Sequence, residues 1–290
     1  MNGFLALNKP EGISSHQAVG RIRRLCGVKK VGHTGTLDPA AGGLLLVAIG
    51  KATRLSEYFL DSTKAYRAVV HFGSATDTYD REGNVQRSVS DFLLSRAQIN
   101  AALSMFQGEI MQKPPAASAL KVQGKRAYEL FRSGQTPDLP PRKVTIYDLQ
   151  VVSAPKLIKP ESPQLVLDIE CSKGTYIRSL ANDLGDAVKC PAHLAGLLRT
   201  KIGSISLAQA VELDDLDRET IQANMLDMAV AVTNLPRLKV GETTGQRIAH
   251  GLKFKNESIK AGPVALFCNQ QLIGIGDIEN YLVRPVKVLV

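Results

Sequence analysis

The chain has 290 residues, 44% of them hydrophobic and 22% charged, and a formal net charge of +9. That balance suits a globular protein with one large or two modest cores, and the positive surplus favours a polyanionic partner. No apolar run approaches the roughly 20 residues needed to cross a bilayer, and Met1 to Pro10 is too short and too soon interrupted for a signal peptide, so no membrane association and a cytoplasmic location are expected.

Phe4 to Asn8 is apolar enough for a short strand, and Lys9-Pro10-Glu11-Gly12 follows as a turn. Ser14 with Gln17 three residues on forms a capping-box pattern; Ala18, Ile22 and Leu25 then recur at helical spacing until Gly27 offers a stop. Arg21, Arg23, Arg24, Lys29 and Lys30 give this segment a basic surface, expected near the loop that follows.

The loop is VGHTGTLDPAAGGLLLVAIGKATR, from Val31 to Arg54. Its glycines permit backbone that other residues cannot follow, while Pro39 fixes its own φ and pushes Asp38 away from helical geometry. Leu44 to Ile49 is an unbroken apolar run of strand length, which anchors the loop to a core. A carboxylate held so rigidly serves as nucleophile, as general base, or merely as the acceptor of a turn; the loop NH groups, Lys51 and Arg54 suit phosphate. Gly50-Lys51 is not the end of a nucleotide-binding loop, because Leu45 and Ala52 stand where that motif needs Gly and Ser or Thr.

Tyr66 lies in KAYRAVVHFG, whose alternating and β-branched residues read as a strand. In TDTYDREGNV, Asp77 and Asp80 are read as hydrogen-bonding turn residues rather than metal ligands. Ser95 and Gln98 cap a second helix with a stripe of Ile99, Leu103 and Phe106. Residues 113–143 are bounded by proline pairs and carry Lys121, Lys125, Arg126, Arg132 and Arg142, as in a flap over a polyanion. In LVLDIECSKGTYIRSLANDLGDAV a strand gives way to a helix, which puts Arg178 in the first helical turn. A cation there opposes the helix dipole by about 0.3–1 kcal/mol unless an anion compensates, so an acidic group is expected to face it.

LDMAVAVTNLP beyond Met225 reads as a connecting helix and linker; VALFC and LIGIG are short strand-like runs of a small β domain. From Arg237 onward eight Lys or Arg stand against four Asp or Glu. The four cysteines are scattered, with Cys190 and His193 a lone C-x-x-H, so reduced thiols and no metal site are expected.

GHTGTLDPAAGGLLLVAIGKAT resembles the signature of the TruB family, bacterial-type synthases that convert uridine 55 of the tRNA T loop to pseudouridine, and NKPEGISSHQAV resembles that family's first motif. The resemblance implies an α+β (mixed α/β) pseudouridine-synthase fold: a central mixed, mainly antiparallel sheet flanked by helices and loops, plus a small C-terminal β domain of the PUA-like RNA-binding type. It places the catalytic domain at 1–232, with 113–143 as a thumb-like RNA-binding insert, and the PUA-like domain at 236–290. It implies catalytic roles for Asp38, for Tyr66 stacked on the uracil and for Arg178 paired with Asp38. His33, Tyr176 and Leu197 are implied as substrate-binding, and Lys9 and Lys51, the latter suited to phosphate, are added as substrate-binding candidates on their residue type. Ala117, where the family usually has an aromatic residue, and Leu198, where it usually has arginine, are departures, each removing one expected contact. The implied reaction cuts the N1 glycosidic bond, turns the base and rejoins it through C5 with no redox change, so no cofactor is expected. The implied partner is the T stem-loop of tRNA, with no obligatory protein partner; a monomer is expected.

Overall fold

The computed structural model describes residues 1–122 and 124–290, so Gln123 of the expected insert lies outside the described residues. Strands β1 (Gly3–Lys9), β2 (Ala41–Ile49), β3 (Lys64–Phe72), β4 (Gly108–Gln112), β5 (Arg142–Ser153), β6 (Gln164–Cys171) and β7 (Ala192–Ile202) are the seven longest of an 11-stranded sheet completed by short strands. Its main path runs from Val211–Glu212 through β1, β2, β7, β3, β6 and β5 to β4. Pairing along this path is antiparallel except at Val211–Glu212 with β1 and at β2 with β7. The sheet is thus mixed and mainly antiparallel, as the resemblance implied.

β2 has no polar alternation and therefore no solvent face; every residue from Leu44 to Ile49 is 0% exposed. Alternate side chains enter opposite cores. Leu44, Leu46 and Ala48 pack with Phe4, Ala6 and Phe59 on one face, and Leu45, Val47 and Ile49 pack with Leu5, Leu7 and helix α1 (Ser15–Cys26) on the other. Burying each such leucine or isoleucine contributes about 1.5–3 kcal/mol, which makes this strand the rigid base of the loop before it. Helix α1 starts on the expected capping box of Ser14 and Gln17 and stops at Gly27, left-handed at φ 66°. The capping box of Ser95 and Gln98 likewise opens α2 (Arg96–Ser104). A third core lies under β3, β6 and β7, where α2 and α3 (Ile177–Ala187) cover the sheet.

The 113–143 insert holds two short paired strands, Lys121–Val122 and Lys125–Arg126, then a helical turn at Ala127–Arg132. The expected helix after Met225 is a 3₁₀ turn, Met228–Val232, opened by Asp227, whose side chain accepts from the Ala229 NH. Downstream, a separate five-stranded sheet runs in the order Arg237–Lys239, Gly262–Cys268, Gln271–Glu279, Leu282–Val288, Phe254–Lys255. One of its faces packs on Ile248 of the helix Glu242–Ala249. The other sends Ala265, Phe267, Leu272 and Ile275 into the core shared with Phe4 and Leu44. Among the described residues no helix is long and apolar enough to cross a membrane.

The parallel contact between β2 and β7 is close enough to dictate a glycine. Gly43 sits at φ +98°, and a Cβ there would lie 2.5 Å from the carbonyl oxygen and 2.8 Å from the nitrogen of Arg199. Gly43→Ala is therefore expected to destabilise the protein by about 2–3 kcal/mol, through backbone strain added to overpacking. The check is the midpoint of urea unfolding, which an unstrained position would leave unchanged.

Candidate active site

The Asp38 loop is pinned from four sides. Asp38-Pro39-Ala40-Ala41 is a turn closed by the Ala41 NH donating to the Asp38 carbonyl at 3.0 Å. The Gly12 NH donates to Pro39 O at 2.8 Å, which ties the turn after β1 to it. Ser15 Oγ accepts from the Leu37 NH at 2.8 Å and donates to the Leu37 carbonyl at 2.9 Å, so one buried hydroxyl fixes the peptide groups on both sides of Leu37. The fourth side is Arg199, 2% exposed, which donates to the carbonyls of Leu44 (2.8 Å), Thr36 (3.2 Å) and Gly35 (3.1 Å).

Opposite the turn, helix α3 presents Arg178 as its second residue. The anion that the helix dipole calls for is present twice: Arg178 Nε lies 3.1 Å from Asp38 Oδ2, and Nη1 lies 3.4 Å from Asp80 Oδ2. Two carbonyls take the remaining directions, Thr78 O from Nη1 at 3.1 Å and Ala117 O from Nη2 at 3.0 Å. Asp80 is fixed in turn by the Thr78 hydroxyl at 2.7 Å and the Glu82 NH at 3.0 Å. Such a guanidinium, 8% exposed and satisfied on every edge, has one orientation, and Asp38 inherits it.

Between them opens a cavity of about 230 Å³. Asp38, Tyr66, Tyr176, Arg178 and Leu197 all line it, and so does Ala119 of the insert. Tyr176 is held by Gln112, which donates to its carbonyl at 3.0 Å and accepts from its NH at 2.8 Å. Burial pushes the Tyr66 phenol above the ordinary tyrosine range, with the Arg199 guanidinium beside it opposing. Burial likewise raises Tyr176. Both rings thus enter the cavity as neutral phenols.

Three other sequence candidates stand elsewhere. His33 pairs with Val47 behind the loop, edge-on to His16 at 6.2 Å between ring centroids, and burial holds its pKa below the usual imidazole range. Lys9 is 0% exposed, its amine donating to Pro10 O and Ile13 O at 2.8 Å each, so it braces its own turn. Lys51 follows the far end of β2, away from the cavity, and Lys29 and Lys30 lie at that same end rather than beside Asp38.

Sequence reasoning passed over two groups. Arg199 is two residues after Leu197 on the same strand, and the period of two puts both on one face. Asp80 had no such signal, since Asp77 in the same turn only accepts from Asn84, at 2.9 Å to its NH. Among the described residues no cluster of side chains suits a metal.

The buried amine of Lys9 gives the site a measurable pH signature. Burial lowers its pKa from 10.5 to about 8. Below about 8 the amine is charged in both folded and unfolded chains, and the folded state bears the full cost of burying it. Between about 8 and 10.5 the folded state releases the proton while the unfolded chain keeps it, so folding gains stability as pH rises. The unfolding free energy of the native chain minus that of Lys9→Met is expected to increase between pH 7 and pH 10; a flat difference by urea titration would remove the buried charge from the argument.

Residues 23–177 match the TruB family pseudouridylate synthase (N terminal domain), and residues 178–233 match the tRNA pseudouridylate synthase B C-terminal domain. The chain is 37% identical over 291 residues to a tRNA pseudouridine synthase B of Caldanaerobacter subterraneus subsp. tengcongensis, covering 99% of each chain. It is 45% identical over 253 residues to one of Symbiobacterium thermophilum, covering 87% of this chain and 83% of that one. A crystal structure of a Cbf5-Nop10-Gar1 complex contains a chain of 26% identity that superposes with a TM-score of 0.75, over 99% of this chain and 85% of that one. With its N-terminal and C-terminal family domains both matched and a relative covered over 99% of its length, this chain belongs to the TruB family of pseudouridylate synthases.

Proposed function

We propose that the protein isomerises uridine 55 in the T loop of tRNA to pseudouridine, with Asp38 as the catalytic group. The observation that carries this reading is Asp38 on Arg178 at 3.1 Å, the one carboxylate among the described residues lining a cavity walled by Tyr66, Tyr176 and Leu197. A uridine reaches such a recess only when flipped out of its loop. The N1–C1′ bond then breaks, the base turns, C1′ bonds to C5, and the proton leaving C5 is balanced by one gained at N1. Two arginines accept no proton and the phenols stay neutral, so Asp38 is the group available to take the C5 proton, whether or not it first attacks sugar or base.

In this reading Arg178 orients Asp38, Tyr66 stacks on the uracil, Tyr176 and Leu197 close the pocket, and Arg199 positions the loop from behind. Lys9 acts through the turn after β1, which it braces and whose Gly12 holds Pro39, and His33 supports the flipped nucleotide. The catalytic domain is assigned to 1–232 with 113–143 as the thumb, and the PUA-like RNA-binding domain to 236–290. Action without partner proteins is favoured over a guide-dependent enzyme, because identity to named tRNA pseudouridine synthases B reaches 45% against 26% for the Cbf5 chain; we take the enzyme to be a cytoplasmic monomer.

The test is purified protein on unmodified tRNA with pseudouridine mapped by position. Product at position 55 is expected from the native protein alone, and Asp38→Asn is expected to lower its rate by on the order of 10³-fold or more. Product at another uridine, or equal rates from both proteins, would overturn the assignment. Asp80→Asn weakens one contact of Arg178 and is expected to lower kcat by roughly 10- to 100-fold with a small change in KM. A KM effect alone would show that Asp80 serves RNA binding.

A further inference from the structure

A second cleft, of about 480 Å³, lies where the small C-terminal sheet meets the body. Lys29, Lys30, Lys51 and Arg54 line it, with Val288 and Val290 as apolar wall and no acidic side chain among the described lining residues. Arg54 is engaged, donating to the Val288 carbonyl at 2.5 Å. Lys287 staples the same junction, bridging to Glu57 at 2.8 Å and donating to the Arg54 carbonyl. Those contacts hold the walls together. Lys29, Lys30 and Lys51 are exposed and, among the described residues, form no ion pair and donate no side-chain hydrogen bond. Three unpaired like charges converging on a preformed cleft repel one another, and an anion with several charged oxygens relieves that repulsion.

The position of the cleft limits what that anion is. The Asp38 turn precedes β2 and the Gly50–Leu55 turn follows it. Nine residues of strand at about 3.3 Å each separate the two ends by roughly 30 Å. The loop nucleotides around a uridine in the cavity do not reach so far, so the phosphates that do belong to RNA beyond that loop.

We propose that this cleft receives phosphodiesters of the substrate tRNA outside the T arm, held by Lys29, Lys30 and Lys51. The inference rests on tRNA being the substrate, but its test reads binding and not turnover. The affinities of the native protein and of Lys29→Gln/Lys30→Gln/Lys51→Gln are measured for a full-length unmodified tRNA and for the hairpin of its T arm, across a salt series. For the full-length tRNA the variant is expected to bind about tenfold more weakly, and its slope of log affinity against log salt to be shallower by about 2, as when roughly three phosphate contacts are lost. The native preference for full-length tRNA over hairpin is expected to shrink by the same tenfold. Equal weakening toward both RNAs, or an unchanged salt slope with full-length tRNA, would overturn the proposal. Neither result depends on whether pseudouridine forms at position 55.

Discussion

The site depends on the ionic contact between Arg178 and Asp38. Arg178 leaves its helix where a cation is unwelcome, and four acceptors from three separate segments offset that cost: two carboxylates and two backbone carbonyls. A buried guanidinium is tolerable only when its donors are matched, so the segments that supply the acceptors are constrained relative to one another. The Asp38 turn, the turn around Asp80 and the base of the insert at Ala117 are all located by one side chain. Arg199 does the complementary task from behind, converting three loop carbonyls into ligands of a second fixed cation. Asp38 thereby sits between two arginines with different duties, one facing the substrate space and one buried in the sheet.

That arrangement explains why the loop is so rich in glycine and yet so stiff. Gly43 is required because β7 runs beside β2 at a distance no side chain permits. The stiffness comes from outside the loop, through Ser15, Gly12 and Arg199. A carboxylate on a mobile loop would lose entropy each time it met the base; here that entropy has been lost on folding.

Much of this was legible in the chain. The capping boxes at Ser14 and Ser95, the apolar run from Leu44 and the strand around Tyr66 are local signals, set by spacing within one element. The dipole argument at Arg178 is also local, and it called for an acid without naming which. Asp80 was not legible, because it differs from Asp77 only in what happens to face it; Arg199 offered its place two residues after Leu197, but the carbonyls it holds lie 155 to 164 residues away in the chain. The resemblance to a family carried the candidate residues, but it said nothing of where Lys9 and Lys51 point. Lys9 turned inward because two carbonyls of the turn after β1 lacked other donors. Lys51 fell at the far end of β2 because a straight nine-residue strand intervenes.

The shared core of Phe4, Leu44 and Leu46 with Phe267, Leu272 and Ile275 joins the small sheet to the body by oily contact, beside the polar staples of Arg54 and Lys287. A chain cut near residue 233 would retain every group that lines the cavity and yet bare an apolar face directly beneath the strand that carries the Asp38 loop. The terminal domain is in this sense a lid on the interior of its neighbour, and its removal would endanger solubility before it altered chemistry.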